Sequence, residues 1–242
     1  MNWYSQSGFE VRLEWGLPAV EHLAYDVDCV VVVDVMSFST CVSVAIDNGA
    51  LIYPYPWKDS SAIQYAERIG AHIANLDRTT SGKGYSLSPC SLRTIPEGTK
   101  LVLPSPNGST ISFSARDYGV AVFSGCFRNM TATARECARF KRILVIPCGE
   151  RWPDGNFRPS VEDITAAGGI IANLGQHSLS PEAEAAAAIF RHHSEHGMSS
   201  LHLCSSAREL AERGFKPDVD LCLDVDVSAK ASRLNGGFYT SP

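Results

Sequence analysis

The 242-residue sequence contains no run of roughly 18 apolar residues, so no membrane-spanning helix is expected. It contains no basic block, and its formal net charge is −5, which argues against duplex nucleic acid as a partner. The opening stretch, MNWYSQSGFEVRLEWG, lacks the basic flank and apolar block of a secretory signal, so a cytoplasmic location is expected. Cysteines stand at positions 29, 41, 90, 126, 137, 148, 204 and 222, but none forms a CxxC pair. Buried free thiols are therefore expected, with zinc or disulfides as the lesser alternative. There is no GxSxG elbow, no GxxxxGK[ST] loop and no convincing GxGxxG. No low-complexity linker divides the chain, which reads as one α/β domain over residues 1–242.

What is present is a recurring order of strand, polar loop and helix. Residues 29–50 read CVVVVDVMSFSTCVSVAIDNGA, residues 100–119 KLVLPSPNGSTISFSARDYG, and residues 120–140 VAVFSGCFRNMTATARECARF. A fourth unit, residues 142–175, has a longer loop, CGERWPDGNFRPSVEDITAAG. Short apolar strands without alternation are buried on both faces, which predicts a largely parallel sheet covered by helices on both sides, a three-layer α/β/α arrangement. The first and fourth units are candidates for an old internal duplication. Ser180, Pro181 and Gly197 bracket a further helix, and residues 59–70 and 205–214 read as shorter ones. The tail from Asp218 reads either as a short helix or as strands turning at Asn235-Gly236-Gly237.

In such sheets ligands bind at the carboxyl ends of the strands. The four units place there Asp34, Ser37, Ser39 and Thr40; Ser105, Asn107, Gly108, Ser109 and Thr110; Ser124, Gly125, Arg128 and Asn129; and Glu150, Arg151, Asp154, Arg158, Glu162 and Asp163. If the strands are neighbours, acids, arginines and helix N-termini converge on one rim. That combination suits a hard divalent cation with a small anionic, phosphorylated ligand. Each element also has a purely structural reading. Asp34 can cap the Ser37–Thr40 turn, and SPNGST can be a turn and helix cap or a phosphate cradle. Ser160 and Asp163 fit an S-x-x-D capping box. Arg151 and Arg158 can neutralise neighbouring acids, and Trp152 can pack the loop. His192, His193 and His196 sit where cations favour a helix C-terminus.

Taken in order, DVMSFST…DNGA, SPNGS and CGERWPDGNFRPSVEDITAAG resemble the motifs of the 2-phosphosulfolactate phosphatase family, over most of the chain. The resemblance implies a Mg²⁺-dependent hydrolase of a small anionic phosphoester, on the route to coenzyme M. It implies Asp34 and Glu162 as catalytic groups, and Asp34, Glu162 and Asp163 as metal ligands. Substrate contacts are expected from Ser37, Ser39, Ser105, Asn107, Gly108, Ser109, Arg128, Arg151 and Arg158. A homo-oligomer is compatible with the sequence, and a non-catalytic anion-binding relative is the alternative function. The sequence departs from the family pattern at Ser37, where the family has arginine, at GYSLSP (84–89) and at Ser206-Ala207-Arg208. Those departures lead to the expectation of an altered substrate.

Overall fold

The structure, a computed structural model, describes residues 2–75, 77–78 and 84–242. In chain order its first elements are β1 (Val11–Leu13), α1 (Gly16–Leu23), β2 (Cys29–Val33), α2 (Phe38–Asp47), β3 (Leu51–Tyr55), α3 (Ser60–Ile69) and β4 (His72–Ile73). Then come β5 (Lys100–Pro104), α4 (Gly108–Arg116), β6 (Ala121–Gly125), α5 (Met130–Cys137) and β7 (Ile143–Pro147). A small ribbon of β8 (Glu150–Arg151) and β9 (Phe157–Arg158) precedes α6 (Val161–Ala172) and α7 (Pro181–His196). The chain closes with α8 (Ser205–Glu212), α9 (Lys216–Cys222), β10 (Ser232–Asn235) and β11 (Phe238–Thr240).

Nine strands form one sheet in the order β1-β7-β2-β6-β10-β11-β3-β5-β4. Pairing is parallel within β1-β7-β2-β6 and within β3-β5-β4. The β10–β11 hairpin sits between these blocks and pairs antiparallel to both. Three consecutive antiparallel junctions reverse the strand sense, so β3, β5 and β4 run opposite to β2, β6 and β7. The sheet is mostly parallel, as the strand pattern implies, but the four repeating units do not all lie side by side. The tail supplies both of its readings in succession, a helix and then a hairpin turning at Asn235-Gly236-Gly237.

The unalternating strands are explained by two apolar layers. Cys29, Val31 and Val33 of β2 pack into one, with Ile170 of α6 and Ala186 of α7. Val30 and Val32 pack into the other, with Val20 of α1, Phe38 of α2 and Ile111 of α4. α6 and α7 approach closely because Gly168 leaves room for the Ala186 carbonyl, which a Cβ would strike. Ser180 caps α7 by accepting a hydrogen bond from Ala183 N–H at 3.2 Å. All eight cysteines are free thiols.

This arrangement positions the site. The helix after β2 packs on one face of the sheet, and the helix after neighbouring β7 packs on the other. A crevice opens between their first turns, the geometry at which open α/β sheets hold ligands. α4 packs over β2 and β6 on the same face as α2. Its N-terminus thereby reaches the end of β2 although β5 lies in the reversed block.

Candidate active site

Asp34 leaves the end of β2 into this crevice and is 5% exposed. Its Oδ2 accepts from Gly108 N–H at 2.8 Å and from Ser105 Oγ at 3.5 Å. Its Oδ1 accepts from Phe38 N–H at 3.3 Å, so the carboxylate joins the N-termini of α2 and α4. Gly108 is required by that approach: a Cβ there would lie 2.8 Å from Asp34 Oδ2 and collide with the Phe38 ring. Gly108→Ala is expected to displace the α4 N-terminus from Asp34. The predicted outcome is a loss of about 1–3 kcal/mol in stability by denaturant titration, as for overpacking, together with a fall in activity.

Burial pushes the Asp34 carboxyl up; the Gly108 and Phe38 N–H groups and the positive charges of Arg78 and Lys58 oppose this. A cleft of about 270 Å³ opens beside Asp34. One wall is built by Ser105, Pro106 and Asn107 together with Glu150. The other carries Ser206, Glu209 and Leu210 of α8, Arg213, and Arg78. Lys58 also reaches the cleft.

The charged loop after β7 folds as a ribbon in which Glu150 stands opposite Arg158. Glu150 points into the cleft and accepts from Asn107 Nδ2 at 3.2 Å. Burial and then the Asp34 charge push it up to about 7. Arg158 donates to Ser206 Oγ at 3.1 Å, at the cleft margin, and its guanidinium lies 5.8 Å from the exposed Trp152 ring. Arg151 is exposed, away from the cleft, and donates to the Gly155 carbonyl at 3.0 Å.

Asp163 does not complete the S-x-x-D capping box. Ser160 makes no side-chain cap, and its buried Oγ has no partner. Asp163 instead accepts from Val35 N–H at 2.8 Å and Gly149 N–H at 2.9 Å, tying together the loops after β2 and β7. Burial, and then the Glu162 and Asp34 charges, push its carboxyl well up. Glu162 is buried beside it, next to Cys204, whose thiol is pushed up to about 12 by burial and by the Glu162 carboxylate. Neither Glu162 nor Asp163 lines the cleft. Asp163→Asn leaves one acceptor and turns an amide donor toward a backbone N–H. The expected cost is about 1–3 kcal/mol of stability by denaturant titration.

Three other expected substrate contacts stand elsewhere. Ser39 is fully buried and donates to the Val32 carbonyl at 3.2 Å. Ser109 likewise donates to the Leu103 carbonyl at 2.7 Å. Short hydroxyl side chains in the first turn of a helix readily turn back onto nearby backbone, and here both are enclosed by the core. Arg128 pairs with Asp47 at 3.3 Å and Asp224 at 3.2 Å, in a separate depression beside α2 and α9. Both terminal nitrogens of its guanidinium are engaged there, away from the cleft. The crevice brings together Asp34, Ser37, Ser105 and Asn107, with Gly108 at its floor.

The cleft cations Lys58, Arg78 and Arg213, the cleft acids Asp77 and Glu209, and Asp218 behind Arg78 are not singled out as site residues by the sequence. Arg78 donates to Ser37 Oγ at 2.8 Å and pairs with Asp218 at 3.4 Å. Asp218 is held in turn by Ser88 Oγ at 2.7 Å and Cys90 N–H at 3.0 Å. Asp77-Arg78 and Lys58 lie outside any periodic pattern, and the arginine that meets Ser37 comes from 41 positions away. The sequence signal that could have found it is a basic residue close before GYSLSP.

A buried acid array facing lysine and arginine beside a helix N-terminus defines an enzyme-like anion site of the kind phosphatases use. The sequence profile of the 2-phosphosulpholactate phosphatase family matches residues 18–236, and the chain belongs to that family. It is similar to a "probable 2-phosphosulfolactate phosphatase" of Thermotoga maritima, 26% identical over 212 residues, covering 86% of this chain and 90% of that one. Proteins of the same name from Thermosynechococcus vestitus and Gloeobacter violaceus are 25% and 26% identical over 225 and 222 residues. These alignments cover 84% and 85% of this chain and 87% and 88% of the relatives.

Proposed function

We propose that this protein is a Mg²⁺-dependent phosphatase that hydrolyses a small, anionic phosphomonoester, 2-phosphosulfolactate or a close relative. The observation that carries the reading is the convergence on one cleft of Asp34 and Glu150 with Arg78, Lys58 and the N-terminus of α4. Family membership supports the same chemistry.

The residues fit a magnesium ion. Among the described residues no three His, Cys, Asp or Glu side chains form a ligand set. Mg²⁺ does not need one: it commonly takes one or two carboxylates and completes its shell with water and substrate phosphate. Asp34 and Glu150 both face the cleft, and the Glu150 carboxyl is raised by burial first and by the Asp34 charge second. They replace Glu162 and Asp163 as the favoured pair of ligands, with Asp163 holding their two loops together. When bound, the ion supplies charge neutralisation at the phosphoryl oxygens.

The protein's own groups do the rest. Gly108 N–H orients the Asp34 carboxylate, and Asn107 orients Glu150. Lys58 and Arg78 favour an anion in the cleft. Lys58 is pushed down by burial and by the neighbouring Arg78 charge, against the carboxylates of Asp34 and Glu150. Asp34 serves as nucleophile, base or metal ligand; isotope-labelled phosphate trapped on the protein after rapid quenching distinguishes the first role from the others.

The substrate class is tested by phosphate release over a panel of small phosphomonoesters and phosphodiesters with Mg²⁺. Turnover confined to anionic monoesters is expected. A panel in which no monoester is hydrolysed would favour the non-catalytic anion-binding alternative.

A further inference from the structure

Arg78 is an unusual arginine. Its side chain is 8% exposed, yet it lines the cleft. One terminal nitrogen donates to Ser37, three residues beyond Asp34, and the other faces Asp218 of α9. Its guanidinium lies 5.4 Å from the Phe215 ring, and Arg213 lies 5.7 Å from the same ring. An arginine carries five N–H donors in a planar fork. Among the described residues only two of Arg78's atoms have partners, which leaves donors available to the cleft.

The two walls of the cleft differ in chemistry. Asp34, the Ser105–Gly108 turn and Glu150 put two acids and the helix N-terminus on one side, where the proposed phosphate and metal belong, and Glu209 is the acid of the α8 side. Arg78 and Arg213 stand on the α8–α9 side, with Leu210 between cleft and core. A fixed guanidinium beside apolar carbon suits a planar or trigonal anion attached to a short carbon chain. Asp218 is 1% exposed and has two donors of its own, so it fixes the direction of the fork rather than competing at the cleft mouth.

Resting on the phosphatase reading above, we propose that Arg78 is a specificity-determining residue: it receives a second anionic group of the substrate, a carboxylate or sulfonate on the carbon skeleton, while the phosphate lies at Asp34. Asp218 is its positioning residue. The enzyme then selects phosphomonoesters that carry such a group over those that do not.

The test uses two substrates that differ only in that group, O-phospholactate and isopropyl phosphate. Wild type is expected to prefer O-phospholactate, with most of the preference in KM. Arg78→Gln is expected to reduce the ratio of specificity constants about tenfold or more, the loss associated with a hydrogen bond to a charged group. Arg78→Lys should recover part of it, and Asp218→Asn should reduce it less. A ratio measured within one preparation is insensitive to the fraction that folds, so a purely structural Arg78–Asp218 pair would leave it unchanged and overturn the proposal. Equal losses on both substrates would also overturn it, by placing Arg78 on the phosphate. If wild type hydrolyses no phosphoester, the phosphatase reading fails, and calorimetry with sulfoacetate tests Arg78 separately. About tenfold weaker binding to Arg78→Gln supports the assignment, and equal binding removes it.

Discussion

Asp34→Asn is expected to lower phosphatase turnover by roughly 100- to 1000-fold or more, the scale on which removing one preorganised electrostatic group acts. The chain should stay folded. The amide oxygen can still accept from Gly108 N–H, where the carboxylate now accepts at 2.8 Å. Removing the charge also relieves repulsion with Glu150 and Asp163, both of which are pushed up partly by Asp34. The amide donor then faces Phe38 N–H, which offsets the relieved repulsion, so thermal stability without metal should change little while activity collapses. A variant that loses activity only in proportion to its folded fraction would make Asp34 a structural cap of α2 and α4. Steady-state kinetics and a thermal melt on one preparation separate the two outcomes.

Glu150→Gln carries the second large effect, and its sign depends on pH. Glu150 lies at about 7 in the folded protein against 4.5 for an ordinary glutamate. Between those values the unfolded chain has released a proton that the folded chain retains, so metal-free stability falls as pH rises through that window. Below about 4.5 both states are protonated and nothing is lost; above about 7 the loss is complete. A difference of this size corresponds to about 3 kcal/mol. Glu150→Gln removes the dependence, so the metal-free variant should be more stable than wild type at pH 8 and similar to it near pH 4.5. Mg²⁺ should stabilise wild type at pH 8 by occupying the acid pair, and should stabilise the variant much less. Activity should fall although stability rises. Thermal melts at several pH values, with and without Mg²⁺, read each part; a wild-type midpoint indifferent to both pH and Mg²⁺ would remove Glu150 from the metal site.

The strands were legible because burial on both faces leaves a plain signature: CVVVV and ILVIP have no polar face to show. Asp34 and Asn107 were legible because a polar residue directly after such a strand must lie near a helix N-terminus. The reversal of β3, β5 and β4 was not, since it depends on a hairpin more than 100 positions away that pairs β6 to β3. Side-chain direction was the other hidden quantity. Ser37 and Ser39 are two positions apart at the start of α2, yet Ser37 meets Arg78 while Ser39 bonds the Val32 carbonyl. Asp163 and Glu162 read as metal ligands because of residue type and place, but both Asp163 oxygens are taken by backbone N–H groups. Arg78 and Lys58 belong to segments without periodicity, and only tertiary packing brings them to Asp34.

The most direct measurement is phosphate release from 2-phosphosulfolactate by the purified wild-type chain, after removal of metal by chelation and again after Mg²⁺ is restored. A metal-dependent phosphatase predicts negligible release in chelator and recovery with Mg²⁺. Equal release in both conditions would contradict the role given to Asp34 and Glu150, and no release in either would contradict the proposed reaction.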